Sequence, residues 1–466
     1  MGKKNANKKG GPRTADVGSR SGKASGGMSP LLLAPLVLVA GVAAWYLGSA
    51  DTDEAPGHRS LADDTASHGG PELECGPAGM EHLSDLPAFG LHVLSATGDG
   101  AFCADGASSA SVSVHIDGSA TDGEPPTLEV ACKHHDAIGG WLLTALKGLV
   151  TAQRPALLNR LQDSGALTSH AMHELSGRPG LSRWNFFTPY GTPVAQQPAA
   201  VARALAECGV VYVYEGGNFV WPGIRIGHNI TLQTGDEKFG EVTLTTLSLQ
   251  PRVFTIDPLL TEKECNWIIK KAEPEMIESP VSHIDSDVGK ASSEWRTSTQ
   301  TRLPKGGGKV ISRIEERAHR IIRVPELQGE PLQVLRYLPG QKYDAHHDYF
   351  DPELYKGQPE MLKMVEGGER NRLATLLWYM AAPEEGGETH FPRAGGLSIP
   401  PNFKCGKEQG GSSTGLKVLP KQGLATLFYS LRPDGAPDPF SLHGGCPPEN
   451  DGVKWAVNKW VWSKTY

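Results

Sequence analysis

Closely spaced cysteines are missing from this chain. Its seven cysteines (Cys75, Cys103, Cys132, Cys208, Cys265, Cys405 and Cys446) are widely spread and never form a C-x-x-C pair, which argues against a zinc finger or a dithiol redox centre. Their odd number leaves at least one thiol unpaired within the chain. An excess of positive charge is lacking too. Against 45 Lys and Arg stand 52 Asp and Glu, a net charge of −7, so there is no global basic field and nucleic acid is not an expected partner. A phosphate-binding loop is also absent. Lys305-Gly306-Gly307-Gly308-Lys309 has the wrong spacing and reads as a turn.

Long apolar runs are rare, and the one from Leu31 to Leu47 stands out. As a helix rising about 1.5 Å per residue it spans roughly 25 Å, short but sufficient for a thin bilayer. Trp45 and Tyr46 lie at its far end, where aromatic rings prefer the membrane interface. Lys3, Lys4, Lys8, Lys9, Arg13, Arg20 and Lys23 precede it against a single acid, Asp16. That asymmetry predicts a cytosolic N-terminus and a single-pass type II protein of the endoplasmic reticulum or Golgi membrane, with the bulk of the chain lumenal. A cleavable signal peptide ending near Gly48-Ser49-Ala50 is the competing reading. In such a compartment some cysteines pair, and the sequon Asn229-Ile230-Thr231 is usable for glycosylation.

With 466 residues and 39% hydrophobic content, the chain has room for two to three domains. The expected order is a basic tail (1–30), the membrane segment (31–50), a polar stalk (51–71), a mixed accessory region (72–245) and a catalytic domain (246–466). In the accessory region Trp141–Leu161 reads as a helix and Val210–Tyr214 as a strand. In the catalytic region Thr261-Glu262-Lys263-Glu264 has the form of a capping box. Leu332–Tyr337, Leu373–Met380, Ala425–Tyr429 and Trp455–Trp462 read as strands between Gly/Pro-rich loops. The pattern is mainly β with flanking helices and predicts a sandwich or jelly roll.

Chemistry concentrates in Tyr343-Asp344-Ala345-His346-His347-Asp348. In a strand, residues i and i+2 share a face, so His346 and Asp348 point one way and His347 the other. A distant histidine on a neighbouring strand would complete a 2-His-1-carboxylate triad, a donor set that holds Fe(II) and leaves positions open. His390 and His443 both lie downstream as competitors for that place. A lone His-x-Asp is a weak signal, and its context has to carry the assignment.

That context is Tyr337-Leu338-Pro339-Gly340-Gln341-Lys342-Tyr343, Ser441-Leu442-His443-Gly444-Gly445-Cys446-Pro447, Gly452-Val453-Lys454-Trp455 and Asn458-Lys459-Trp460. Together they closely resemble the prolyl 4-hydroxylase family of 2-oxoglutarate- and Fe(II)-dependent dioxygenases. Pro251-Arg252-Val253-Phe254, Arg296-Thr297-Ser298, Arg372-Leu373-Ala374-Thr375 and Gly386-Gly387-Glu388-Thr389 are similar to the plant and algal members. The resemblance implies a double-stranded β-helix jelly roll. It implies His346, Asp348 and His443 as Fe(II) ligands and Lys454 as the anchor of the 2-oxoglutarate carboxylate, helped by Tyr337 and Thr389. Asp348 fills the position that halogenating relatives leave open, which favours hydroxylation. Tyr343 and Arg372 match positions lining the family's peptide groove, and ascorbate is the accompanying reductant.

One departure bears on substrate. Where the family commonly has Asn-Lys-Trp-x-His, this chain reads Asn458-Lys459-Trp460-Val461-Trp462, and Trp462 is expected to stack on proline in place of the histidine. The expected substrate is a proline-rich secreted or cell-wall-type polypeptide. The same chemistry on a non-proline residue or a small molecule is the alternative, and a catalytically silent proline-rich-peptide binding module is a third reading.

Overall fold

Strand-forming sequence dominates from residue 91 onward, and the N-terminal and larger sheets share the largest core. The computed structural model describes residues 72–466 apart from 77–81, 85, 98–106, 120–123, 133–138, 166, 177–179, 402 and 404–413. The expected tail, membrane segment and stalk (1–71) lie outside the described residues. Among the described residues no helix is long and apolar enough to cross a membrane. Pro71–Tyr466 forms one compact unit.

The N-terminal lobe holds β1 (Leu91–Ala96), β2 (Ser109–His115), β3 (Thr127–Ala131), β4 (Asn185–Phe187), β5 (Pro193–Val194) and β6 (Val210–Tyr214), in the sheet order β3-β2-β1-β6-β4-β5. Helices α1 (Gly139–Asp163), α2 (Ser169–Ser176) and α3 (Pro198–Cys208) accompany it. β6 is buried along its whole length, and alternation explains how. Val211 and Val213 pack with α1 and α3, while Tyr212 and Tyr214 point into the large core shared with the rest of the chain. A strand covered on both faces reads as a continuous apolar run, which is the pattern of Val210–Tyr214. Cys75 and Cys208 are bonded to each other, Cys132 and Cys446 are also in disulfides, and Cys265 is a free, buried thiol.

The larger sheet contains β7 (Asn229–Gln233), β8 (Glu241–Leu249), β9 (Arg252–Ile256), β10 (Ile277–Glu278), β11 (Thr299–Leu303), β12 (Leu332–Tyr337), β14 (Arg372–Ala381), β17 (Ala425–Tyr429) and β19 (Lys454–Trp462), in the order β10-β11-β12-β19-β14-β17-β9-β8-β7. A smaller sheet, β13-β18-β15-β16, is built from β13 (Tyr343–His346), β15 (Thr389–Phe391), β16 (Leu416–Val418) and β18 (His443–Gly445). A boundary at residue 246 falls inside β8. The sheet begins earlier because Val242 and Leu244 alternate into its core and β8 pairs with β9 from Leu244 to Leu249.

Parity along the central strands fixes what faces the site. In β14, Ala374, Leu376, Trp378 and Met380 pack in the large core, and Leu377 and Tyr379 pack toward the small sheet with Phe391 and Val418. Two helices cover the outer face. α4 (Glu262–Ala272) starts in the expected capping box, with Thr261 accepting from the Glu264 N–H and Glu264 reaching back. α5 (Lys309–Ile322) buries Ile311, Ile314, Ala318 and Ile321 at helical spacing. These layers are consistent with the jelly-roll expectation.

Candidate active site

β13 and β18 pair antiparallel with His346 opposite His443, which brings together imidazoles nearly a hundred residues apart in the chain. Their rings lie 4.4 Å apart. Asp348, two residues past His346, completes the group, and one donor atom from each residue lies within 4.8 Å of the others.

The protonation of the imidazoles follows from their partners. His346 Nδ1 is 2.9 Å from the carbonyl oxygen of Asp344, and His443 Nδ1 is 2.9 Å from that of Ser441. A carbonyl can only accept, so each Nδ1 carries a proton, and Nε2 is the ring nitrogen left to face Asp348. Both Nε2 atoms stand 3.6 Å from an Asp348 carboxylate oxygen. That is too long for a hydrogen bond, but suited to neighbouring ligands that each sit about 2.1 Å from one cation. The group therefore fits a divalent ion in its open 2-His-1-carboxylate form.

Burial, with the neighbouring His346, pushes His443 down to about 4, so its ring is neutral at pH 7. Burial alone would raise the Asp348 carboxyl, but His443, His346 and Arg372 outweigh it and hold the carboxyl well below its usual range. Thr375 Oγ1 donates to Asp348 Oδ2 at 2.6 Å and Trp460 Nε1 at 3.0 Å. Both come from the strand face that β14 and β19 turn toward the site. Thr375→Val keeps the shape and removes one of these donors. It is expected to weaken Co(II) binding about tenfold, the usual cost of losing a partner of a metal ligand, with an unchanged circular dichroism spectrum as the folding control.

A narrow pocket is lined by both imidazoles and by Lys454, with a free volume of about 30 Å³. Leu335, Leu377, Phe428 and Ala456 make its walls apolar, and Tyr337, Thr389 and Asn458 add polar groups. Lys454 is 2% exposed, and its Nζ lies 5.2 Å from the Tyr337 ring centre and 5.4 Å from that of Tyr379. Burial lowers it to about 7, with Glu388 opposing. Thr389 Oγ1 shares a 2.7 Å hydrogen bond with Tyr379 Oη. A pocket that joins apolar walls, a buried amine and a group able to hold a metal ion suits a small diacid that chelates through one end.

The other expected residues fall in different places. Tyr343 stacks on His346 with ring centres 3.6 Å apart, and Arg296 covers it at 4.4 Å. Arg372 is turned to Glu330, with Nε donating to Oε1 at 2.7 Å, and its guanidinium stacks on Trp460 at 3.7 Å. Trp462 is 1% exposed. Its Nε1 donates to Glu330 Oε1 at 2.8 Å, and it packs with Phe350, Tyr355 and Val365. Sunk in that cluster, it cannot stack on a substrate proline as expected. His347 lies against Tyr349, away from the ligand group. His390 Nε2 donates to the Thr414 carbonyl at 2.8 Å.

Thr375 and Trp460 stand in the motifs Arg372-Leu373-Ala374-Thr375 and Asn458-Lys459-Trp460 without a role assigned to either, and Glu330 and Tyr379 carry no motif signal at all. For Thr375 and Trp460 the available signal was strand parity, since each shares a face with residues that line the pocket. Glu330 lies outside any strand, and only the three-dimensional contacts reveal it.

A second set of possible ligands, His92, Asp117 and Glu215, lies in the N-terminal lobe. There Arg154 donates to both Asp117 oxygens, at 2.7 and 2.9 Å, and also to Glu215. A protein cation already satisfies those carboxylates, so this cluster reads as a buried ion-pair network.

Residues 332–462 match the 2OG-Fe(II) oxygenase superfamily. Probable prolyl 4-hydroxylase 3 of Arabidopsis thaliana is 42% identical over 230 residues, covering 48% of this chain and 74% of the relative. Prolyl 4-hydroxylase 5 of the same plant is 41% identical over 234 residues, covering 49% and 74%. The crystal structure of the viral collagen prolyl hydroxylase of Paramecium bursaria Chlorella virus-1 with 2OG is 26% identical with a TM-score of 0.31, covering 45% of this chain and 95% of that one. On the extent of its likeness to the plant enzymes, this chain belongs to the prolyl 4-hydroxylase family of 2-oxoglutarate- and Fe(II)-dependent dioxygenases.

Proposed function

We propose that the chain hydroxylates peptidyl proline at C4, with 2-oxoglutarate and O2 converted to succinate and CO2 as one oxygen atom enters the proline. The observation that carries this reading is a pocket lined by His346, His443 and Lys454, with Asp348 grouped with the two histidines as a possible metal-binding set. Fe(II), when bound, supplies the activation of O2 that couples the two oxidations.

The residues of the chain bind and orient. His346 and His443 present their Nε2 atoms, and Asp348 adds the single negative charge. Lys454 pairs with the far carboxylate of 2-oxoglutarate, with Tyr337 and Thr389 at hand as hydrogen-bonding groups. The apolar walls keep water from this end of the pocket. Tyr343, partly exposed beside His346, offers a ring edge to an incoming proline. Arg372 is assigned a different part from peptide binding: by clamping Glu330 and lying 3.4 Å from the Asp348 carbonyl oxygen it steadies the ligand strand.

The substrate class is a proline-rich secreted or cell-wall-type polypeptide, and ascorbate serves as the reductant. Residues 31–47 are the proposed type II anchor and place the catalytic domain in the lumen of the endoplasmic reticulum or Golgi. Asn229 is exposed on the edge strand β7, where a glycan is sterically acceptable.

The test is succinate release by the lumenal fragment with Fe(II), 2-oxoglutarate, ascorbate and a panel of poly-proline, Ser-Pro-rich and collagen-like peptides, with His346→Ala beside it. Peptide-dependent turnover with one added oxygen on proline, lost in the variant, is the expected result. An added oxygen on another residue would move the target while keeping the chemistry. No turnover and no metal uptake would leave a binding module.

A further inference from the structure

Residues 430–442 join β17 to His443, and the tip of this segment is inserted into the N-terminal lobe. Three glycines form the opening. A Cβ at Gly90 would stand 2.4 Å from the Asp434 nitrogen, one at Gly180 2.5 Å from the Asp434 carbonyl oxygen, and one at Gly216 2.4 Å from the Gly435 nitrogen. Backbone approaches that close exclude any side chain. The tip is then held by the lobe's main chain. The Asp434 N–H donates to the Phe89 carbonyl at 3.1 Å, Leu181 N–H to the Asp434 carbonyl at 2.6 Å, and Gly216 N–H to the Pro433 carbonyl at 2.8 Å. Arg432 Nη1 donates to the Leu175 carbonyl of α2 at 2.7 Å.

Beyond the tip, the chain turns at Asp438, whose carboxylate accepts from the Phe440 N–H at 2.9 Å. Its carbonyl accepts from the Ser441 hydroxyl at 2.7 Å. Phe440 is 0% exposed and packs on Leu167 and on Ala171 and Leu175 of α2. Next to it, the Ser441 carbonyl accepts the His443 Nδ1–H. β18 is only three residues long, its register against β13 is irregular, and β15 pairs with it at Gly444 and Gly445 but not at His443. The His443 ring packs on Phe391 and Phe428, and the Ser441 carbonyl is the acceptor at its Nδ1.

We infer that the N-terminal lobe is a positioning element for the metal site. Its glycine socket fixes segment 430–442, and Phe440 seated on α2 sets the Ser441 carbonyl that orients the His443 imidazole. Phe440 is thus a positioning residue, 0% exposed and out of reach of substrate, whose loss is felt at the metal. This rests on the reading of His346, Asp348 and His443 as metal ligands.

The test is a Co(II) titration of the whole lumenal fragment, followed by the metal's visible absorption, for the unaltered protein, Phe440→Ala, Phe440→Leu, Leu146→Ala and His346→Ala. Leu146 is equally buried, in the lobe's other core, and its truncation controls for general loosening. The expected result is Co(II) affinity about tenfold weaker in Phe440→Ala, about threefold weaker in Phe440→Leu, and unchanged in Leu146→Ala despite a lowered Tm. Unchanged affinity in Phe440→Ala, or an equal loss in Leu146→Ala, overturns the inference. If Phe440→Ala does not fold, Phe440→Leu decides, since its near-conserved volume preserves the core, and wild-type affinity there overturns it. Failure of the metal reading looks different: the unaltered protein takes up no Co(II), or His346→Ala binds it just as well.

Discussion

Asp348→Ala loses metal uptake by at least about a thousandfold, and succinate release falls to background with it. Asp348 is the sole anion among the three ligands, so its removal leaves two neutral imidazoles facing a divalent cation. A bidentate pair of histidines holds such ions far less well than the full facial set. A second cost adds to this. Thr375 and Trp460 both donate to the Asp348 carboxylate, and truncation leaves these buried donors without an acceptor, at about 1–3 kcal/mol each. Asp348→Asn separates the two contributions, since it keeps an accepting oxygen but removes the charge. It should recover much of the stability and little of the metal affinity. At neutral pH neither Asp348 nor His443 has a proton to lose before binding, because Asp348 is held well below its usual range and His443 lies near 4. Co(II) titration of both variants, beside chemical denaturation of the metal-free forms, checks this. Uptake by Asp348→Ala within tenfold of the unaltered protein would remove Asp348 from the ligand set.

The main strands were legible because they are long and buried on both sides. β12, β14, β17 and β19 lie where the runs from Leu332, Leu373, Ala425 and Trp455 indicated. The Thr261 capping box was legible because a cap is a local event. The small sheet was not readable in the same way. β15, β16 and β18 are three residues each, too short for periodicity to register, and they exist because their partners hold them. The grouping of His346, Asp348 and His443 was nevertheless available from the spacing of the first two together with the motif around His443. Trp462 marks where this reasoning failed. Its place in the motif suggested a residue facing substrate, but an indole is large and apolar enough to be drawn inward. It sinks among Phe350, Tyr355 and Val365, with Glu330 accepting its one donor. The socket for residues 432–436 had no readable signal either, since a lone glycine such as Gly90 or Gly216 does not announce what approaches it.

Lys454→Met raises the KM for 2-oxoglutarate by about 10² to 10³ while leaving Co(II) affinity unchanged, the reverse of the Asp348 phenotype. The ammonium is buried against two tyrosine rings and makes no ion pair or hydrogen bond with another described residue. A carboxylate brought into that apolar pocket without its cation is left as an uncompensated buried charge, which costs about 3–5 kcal/mol, and each 1.4 kcal/mol is tenfold in affinity. The same burial gives the site a pH dependence of definite sign. Desolvation lowers Lys454 to about 7, so the free pocket carries its charge below that pH and loses it above. Binding of the dicarboxylate favours the protonated form. The KM for 2-oxoglutarate is therefore lowest below pH 7 and climbs by up to about tenfold per unit as the pH rises beyond it. In Lys454→Met the KM is high throughout, and the rise is gone because the titrating group is gone. KM measured from pH 6 to 9 at saturating metal and peptide, for both proteins, is the check. A flat wild-type profile together with a KM in Lys454→Met within tenfold of wild type would mean that the carboxylate is held elsewhere. Tyr337, Thr389 and Asn458 would then be the polar groups left in the pocket to hold it.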